Sequence, residues 1–529
     1  MVDELERPVS RRTVLRLVGA GGLGLALPNL GRSGVGLVMP AGAQGTPGVL
    51  DGTITIDLPD EPKTLDPALV YDANGWSIVH AVYDALVQYA PDGTLEPLLA
   101  ESLTATDPLT YEIKLRQGVT FHNGEPFDAR SVAVSVAHLA DPAVDSQVKS
   151  FFDETTIAGV EEVDPHTVRL HLAQPAPWLP AQMAAWLVML PPGYAADSGS
   201  NLAAQPVGTG PFRFVAWQRG QQVEMEANEG YALPKGRPIA ARAVYRFVPE
   251  GSTRVADLLA GTADLVRAVP VDQVAAVEEG GAQVAISPVS GSAWVRIATD
   301  VAPFSDPRVR QALNHAVDVD AIVAALLGGN GTRLANFFVE GGLGHDPALP
   351  TYAYDPDRAM ALLREAGYPD GFETTLEYAS AEHVAVVEAI AGQLGEVGVR
   401  VTVQAVETAR FNETWTDVAA APLRFATWRP LFDPYTLLNL VVAAPDFAKG
   451  QGFLSRHTNL AAQALIDAAA IETDPAKRAE TYRQLGQVLR DEPAAIYLYG
   501  LTARYGLGPD LPAWTPRPDE YIIPTARDQ

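Results

Sequence analysis

Apolar and polar positions alternate at period two in several short runs of the chain. Thr53-Ile54-Thr55-Ile56-Asp57-Leu58 is one, and residues 111–116 and 166–172 are two more. Each predicts a strand with one buried face. Residues 77–89 instead bring Ile78, Val82, Tyr83 and Leu86 to one face of a helix. Asp128 is placed to cap a second helix running to residue 139. Residues 212–215 and 222–226 bracket Arg219-Gly220, a hairpin pattern. Asp-Pro pairs at 306–307, 355–356 and 474–475 each predict a helix start, the Asp as cap and the Pro in the first turn. Strand-like 374–378 and 399–403 flank a helical 382–395, a βαβ pattern. No fixed-period repeat and no low-complexity tract interrupts this. The class is mixed α/β with interspersed antiparallel hairpins.

A chain of 529 residues implies more than one folded unit, and 47% hydrophobic with 19% charged residues fits a well-buried globular protein. The 38 Lys and Arg against 64 Asp and Glu give a net charge of −26, which repels phosphate backbones, so no nucleic-acid partner is expected. The absence of Cys excludes disulfides, thiolate metal sites, thiol catalysis and a lipid-anchoring cysteine.

The N-terminus places Arg11-Arg12 ahead of an apolar, Gly-rich run over residues 17–30, with Ala41-Gly42-Ala43 beyond. A basic head, an apolar middle and a small-residue A-x-A end are the parts of an export signal. The paired arginines after Ser10 resemble the twin-arginine signal, so residues 1–43 are read as a twin-arginine signal peptide. A spanning helix is the weaker reading, because four glycines within 19–24, Pro28 and Arg32 break the run. The same stretch holds a formal G-x-G-x-x-G at 19–24, which lacks the strand ahead of it that a dinucleotide site needs. Cleavage after Ala43 removes five Arg and three acids, taking −26 to −28. No other stretch approaches 18 uninterrupted apolar residues, so the mature chain is expected to be free in the periplasm.

Catalytic signatures are missing: there is no G-x-S-x-G, H-E-x-x-H or G-x-x-x-x-G-K-[ST]. The nine His are scattered, and the odd spacing of His166 and His171 sets them on opposite faces of a strand, which defeats a shared metal. No enzyme, metal or cofactor is expected. Paired carboxylates and a triad of distant residues stay open, but nothing nominates their members.

Several blocks, in order, resemble the family 5 extracellular solute-binding proteins, the peptide- and nickel-type binding subunits of ABC importers. They begin with Pro62-Lys63-Thr64-Leu65-Asp66-Pro67, Val82-Tyr83-Asp84-Ala85-Leu86-Val87 and Leu98-Leu99-Ala100-Glu101-Ser102-Leu103. Residues 115–127, ending Phe121-His122-Asn123-Gly124-Glu125-Pro126-Phe127, continue the series. So do Pro206-Val207-Gly208-Thr209-Gly210-Pro211-Phe212 and residues 303–313. Tyr354-Asp355-Pro356, residues 366–372 and Phe432-Asp433-Pro434 complete it. Most of these blocks read as fold-maintaining: Gly208 and Gly210 are expected to supply positive φ before a strand, and Gly118, Gly124 and Gly371 to sit in turns.

The resemblance implies a two-lobed periplasmic-binding-protein fold (type II, α/β, with an extra inserted subdomain) and a hinge of crossing strands. Lobe I would comprise residues 50–80, 205–265 and 495–529, the inserted subdomain 81–204, and lobe II 266–494. Ligand would bridge the lobes. The partners implied are a small-molecule or peptide ligand and an ABC permease and ATPase complex, with the binding protein itself a monomer.

In relatives the segment matching Trp428-Arg429-Pro430-Leu431-Phe432-Asp433-Pro434-Tyr435 lines the cleft, which nominates Trp428, Arg429, Phe432, Asp433 and Tyr435. Core packing is the competing reading for Trp428 and Phe432. Peptide-binding relatives carry an acid about three residues before the Asp-Pro, to pair with an α-ammonium; here Arg429-Pro430 stands there. An arginine favours a carboxylate and repels an amine. Tyr71, Asn74, Trp76 and Trp186 are the candidates on lobe I, against surface or core packing. The ligand expected is a peptide or peptide-like anion. A small-chelator complex of nickel or another metal is the alternative, and a secreted hydrolase the remote one.

Overall fold

The computed structural model describes residues 52–527 except 71, 145, 147, 149–151, 153–155, 199–201, 408–409, 412–413, 415–420, 430–431, 447–451, 453 and 512–513. The expected export signal and Tyr71 therefore lie outside the described residues. The alternating run at the start forms β1 (Thr53–Leu58) as predicted. The helix expected over 77–89 is shifted: α1 is Ala73–Val82, because Asp72 caps it by accepting from Gly75 N at 2.7 Å. It ends early because a buried ammonium takes its last carbonyls. Lys235 Nζ donates to His80 O (2.9 Å) and Tyr83 O (2.8 Å) while pairing with Asp84 at 2.5 Å. Val87–Tyr89 then runs as a strand.

A separate antiparallel sheet follows, in the order β2-β3-β5-β4, from β2 (Ala100–Asp107), β3 (Thr110–Leu115), β4 (Ile157–Asp164) and β5 (Thr167–Leu172). Between them α2 (Ala129–Ala140) is capped by Asp128 through a capping box, as its sequence predicts. His166 sits in the turn ahead of β5 and not on it, and His171 faces Glu161 at 2.9 Å on the surface. Next comes α3 (Leu179–Trp186).

Among the described residues the principal sheet has eleven strands. Its members here are β1, the hairpin β6 (Phe212–Gln218) and β7 (Gln222–Ala227), β8 (Arg242–Phe247), β9 (Leu265–Arg267) and β10 (Gln283–Ile297). After α4 (Pro307–Ala316) and α5 (Pro356–Glu365) come β11 (Phe372–Tyr378), α6 (Val384–Glu396), β12 (Val399–Ala405) and β13 (Leu423–Trp428). Then follow α7 (Tyr435–Val441), α8 (Leu460–Ile471), α9 (Pro475–Asp491) and β14 (Ala495–Leu507). The order is β12-β11-β13-β10-β14-β9-β1-β8-β7-β6, with the short Thr332–Arg333 also on β14. β11 and β12 pair in parallel around α6, the expected βαβ unit. Asp306, Asp355 and Asp474 cap α4, α5 and α9 with Pro in each first turn.

The two longest strands, β10 and β14, lie side by side at the centre and connect the two ends of the sheet. Their register shifts between Pro288 and Ser292 and again between Ser292 and Trp294, which bends the ladder there. On one side Ile297, Val309, Leu376, Ile390 and Leu423 form one core. On the other Ile56, Trp76, Trp178 and Tyr245 form a larger one, which also takes in Leu437, Ile466 and Leu485 from beyond β13.

Three family blocks meet at the end of α1. Thr209 Oγ1 (2.9 Å) and Tyr231 O–H (3.0 Å) donate to the buried Asp84 carboxylate, while His122 N donates to Gly208 O at 2.8 Å. Contrary to expectation, neither Gly208 nor Gly210 has a positive φ. What they supply is space: a Cβ on Gly208 would stand 2.1 Å from Val82 O, and one on Gly210 2.6 Å from Ala81 O. Gly118, Gly124 and Gly371 do hold φ of 75°, 89° and 72°.

Candidate functional site

Helix α1 is buried along nearly its whole length, so Asn74 and Trp76 in its N-terminal half are both enclosed. Trp76 meets Trp186, at the end of α3, edge to face at 5.2 Å, and stacks near Tyr521 at 6.4 Å. His80, one turn on from Trp76, stacks on Tyr521 at 4.8 Å. Burial, and then Lys235, hold the His80 pKa well below its ordinary value. Burial likewise raises the Tyr521 phenol, so both groups stay neutral. Asn74 Oδ1, Trp76 Nε1 and the Tyr521 hydroxyl are buried and make no hydrogen bond within the described residues. They are one acceptor, one donor and one group of either kind.

Residues 517–521 form a turn that touches both sides of the central strands. Arg517 pairs with Asp519 at 2.5 Å and donates to Tyr89 O at 2.8 Å. Asp519 accepts from Tyr521 N at 3.0 Å, and Ser290 N on β10 donates to Pro518 O at 2.8 Å. Ile522 N donates to Ser77 Oγ at 3.0 Å, which ties the segment to α1. Glu520 Oε1 lies 3.1 Å from Arg267 Nη2, and Glu520 Oε2 lies 2.6 Å from Arg429 Nε.

Arg429 extends from the end of β13, where Ser292 pairs opposite Trp428, and half-buried Trp428 packs against the larger core. A Cβ on Gly291 would stand 2.9 Å from Arg429 Cβ, so the glycine lets this strand end approach β10 at its bend. The Arg429 side chain is 35% exposed, and its contact with Glu520 Oε2 is an ion pair outside hydrogen-bond geometry. Phe432 stacks on Tyr89 with ring centres 3.6 Å apart. Asp433 pairs with Arg478 at 2.5 and 2.9 Å and accepts from Tyr435 N at 3.0 Å. Tyr435 stacks flat on Trp178 at 4.0 Å.

Of the candidates named from sequence, Trp76 and Trp186 meet in one aromatic cluster with His80 and Tyr521, Asn74 lies two residues before Trp76 on α1, and Trp428 and Arg429 are neighbours at the strand end. Asp433 and Tyr435 are engaged inside the protein, as ion-pair partner and stacking partner. The residues that sequence reading passed over are Arg267, Glu520 and Tyr521. Arg517-Pro518-Asp519-Glu520-Tyr521 mixes both charges without any period, and such a run reads as surface loop. Among the described residues no group of three or more His, Cys, Asp or Glu could hold a metal ion, and no helix is long and apolar enough to cross a membrane.

The model of the bacterial extracellular solute-binding proteins, family 5 (middle), matches residues 94–448. The glutathione-binding protein GsiB of Escherichia coli O1:K1 is 32% identical over 353 residues, 65% of this chain and 67% of its own. Among solved structures, DppA from Helicobacter pylori in complex with the peptide STSA superposes with a TM-score of 0.79 at 24% identity, over 90% of this chain and 97% of its own. AgaA from A. tumefacien R10 in complex with agropinic acid gives 0.78 at 25% identity, over 90% and 99%.

Proposed function

The chain belongs to the bacterial extracellular solute-binding proteins of family 5, and from that premise we propose that it captures a peptide-like anion whose carboxylate is taken by Arg429. Its fold is that of the two-lobed periplasmic binding proteins, and it is a solute-binding subunit of an ABC importer. In this reading lobe I comprises 50–80, 205–265 and 495–529, with 81–204 inserted, and lobe II is 266–494. The protein acts as a monomer that binds and releases its ligand unchanged. It hands the ligand to a permease and ATPase pair.

The state of Arg429 carries the ligand reading. Its Nε is the nitrogen nearest Glu520, at 2.6 Å in an ion pair, and the partly exposed guanidinium can turn its two terminal nitrogens to a carboxylate. Glutathione, a tetrapeptide and agropinic acid, which the similar proteins bind, are all acids. A metal chelate is the second reading: small chelators carry several carboxylates for the same arginine, and the metal would then arrive already held.

A thermal-shift panel on residues 44–529, refolded to strip carried ligand, tests this. It compares di- to pentapeptides, glutathione, opine-like acids and Ni–histidine. A ligand at about 100 times its Kd adds about 2.7 kcal/mol, enough to see. Shifts with acids, weakened by Arg429→Ala, are expected. A shift with peptides that N-acetylation abolishes and Arg429→Ala leaves intact would overturn the carboxylate reading, and turnover of the ligand would reveal a hydrolase. We further assign residues 1–43 as a twin-arginine signal directing the chain to the periplasm. Lysines at positions 11 and 12 should leave precursor in the cytoplasm, and unimpaired export would sink that assignment.

A further inference from the structure

We propose that Glu520 is a positioning residue: it holds the Arg429 guanidinium across the central strands so that its two terminal nitrogens present a fork to the ligand's carboxylate. This deepens the function proposed above and rests on it. Arg267 lies on β9 and Arg429 at the end of β13, on opposite sides of the β10–β14 pair. Glu520 reaches both, one carboxylate oxygen to each, at 3.1 and 2.6 Å.

The backbone fixes Glu520 independently of that contact. Its φ of +63° is one that residues with side chains rarely hold, so its surroundings over-determine it. Those surroundings are the Glu520 N to Arg517 O bond (3.0 Å), the Arg517–Asp519 pair and the Arg267 Nη1 to Glu520 O bond (3.3 Å). The Glu520 side chain is only 7% exposed, whereas that of Arg429 is 35% exposed. A fixed anion therefore orients a partly free cation. Arg267 also lies in the field of Glu382 and Asp72, so it is the partly exposed Arg429 guanidinium that offers positive charge to an incoming acid.

Calorimetric titration of the purified protein tests this with paired probes: the peptide Ser-Thr-Ser-Ala against its C-terminal amide, and glutathione against its glycyl ethyl ester. The readout is the affinity ratio of free acid to blocked acid, which a general loss of stability does not move. At least one pair should show a ratio of about tenfold or more in the wild type, falling to about one in Arg429→Ala. Glu520→Gln should lower it to about threefold or less, because the fork is then no longer aimed. Glu520→Gln also takes from Arg267 its paired carboxylate, so Glu520→Asp is measured beside it. Asp keeps an anion near Arg267 but lacks the reach to both arginines, and its ratio should fall too. If Arg429→Ala abolishes the ratio while both Glu520 variants keep the wild-type value, the positioning role is wrong and the proposed function stands. If the wild type shows no preference for either acid, or Arg429→Ala keeps it, the proposed function fails and this role with it.

Discussion

At the scale of single residues, burial lowers the pKa of His122 and of His457 from 6.5 to about 4, with Arg213 and Arg310 respectively pushing the same way. Both rings are neutral when folded and ready to protonate when unfolded. Below pH 6.5 the unfolded chain therefore binds more protons than the native one, and stability falls as pH drops from 6.5 towards 4. Each ring accounts for up to about 3 kcal/mol of that fall. Thermal unfolding followed from pH 7.5 to 4 should show the decline, and His457→Gln should flatten it; an unchanged slope in that variant would refute the assignment. Asp433 makes a different prediction. Its pair with Arg478 is buried and bidentate, and Tyr482 accepts from the same guanidinium at 2.9 Å. Asp433→Asn leaves that cation uncompensated, and denaturant unfolding should show a loss of about 3–5 kcal/mol. A loss below about 1 kcal/mol would mean the pair is solvated in solution.

At the scale of elements, local signals were legible and remote ones were not. An Asp-Pro helix start is decided within four residues: Asp474 accepts from Ala476 N at 2.9 Å and from Lys477 N at 3.1 Å, with Pro475 already at helical φ. Asp474→Ala should therefore cost only about 1 kcal/mol in urea unfolding, against no change if α9 starts elsewhere. Gly208 and Gly210 were visible as a motif, but their reason was not, since the carbonyls they approach belong to a segment over a hundred residues earlier. Gly208→Ala should be far more damaging than the cap variant, because Val82 O is backbone and cannot rotate aside. Residues 517–521 show the limit most clearly. They gain their role from Tyr89 and Ser77, 428 and 445 positions away from their partners Arg517 and Ile522. No periodicity can announce a partner at that separation, so Glu520 and Tyr521 emerge only from the fold.

At the scale of the whole molecule, three contacts join segments that the long strands β10 and β14 hold apart in sequence: Tyr89 on Phe432, Trp178 on Tyr435, and Glu520 with Arg429. They differ in what they would do to a ligand. Phe432 spends its ring face on Tyr89, so its contribution is to the closeness of the two sides. Phe432→Ala removes a stack worth about 0.5–1.5 kcal/mol beyond the area it buries. If closure and binding are one equilibrium, that loss lowers the population of the binding-competent form, and every ligand should weaken by the same factor, about tenfold. Arg429→Ala removes a charge that only acids can use, and should weaken free acids while leaving their amides and esters nearly unchanged. Titrating both variants with the same acid and amide pair separates the two roles. A selective loss in Phe432→Ala would mean that this ring touches the ligand itself. A uniform loss there, with X-ray scattering showing a larger radius for the variant, would identify the Tyr89–Phe432 stack as part of what holds the binding-competent form together.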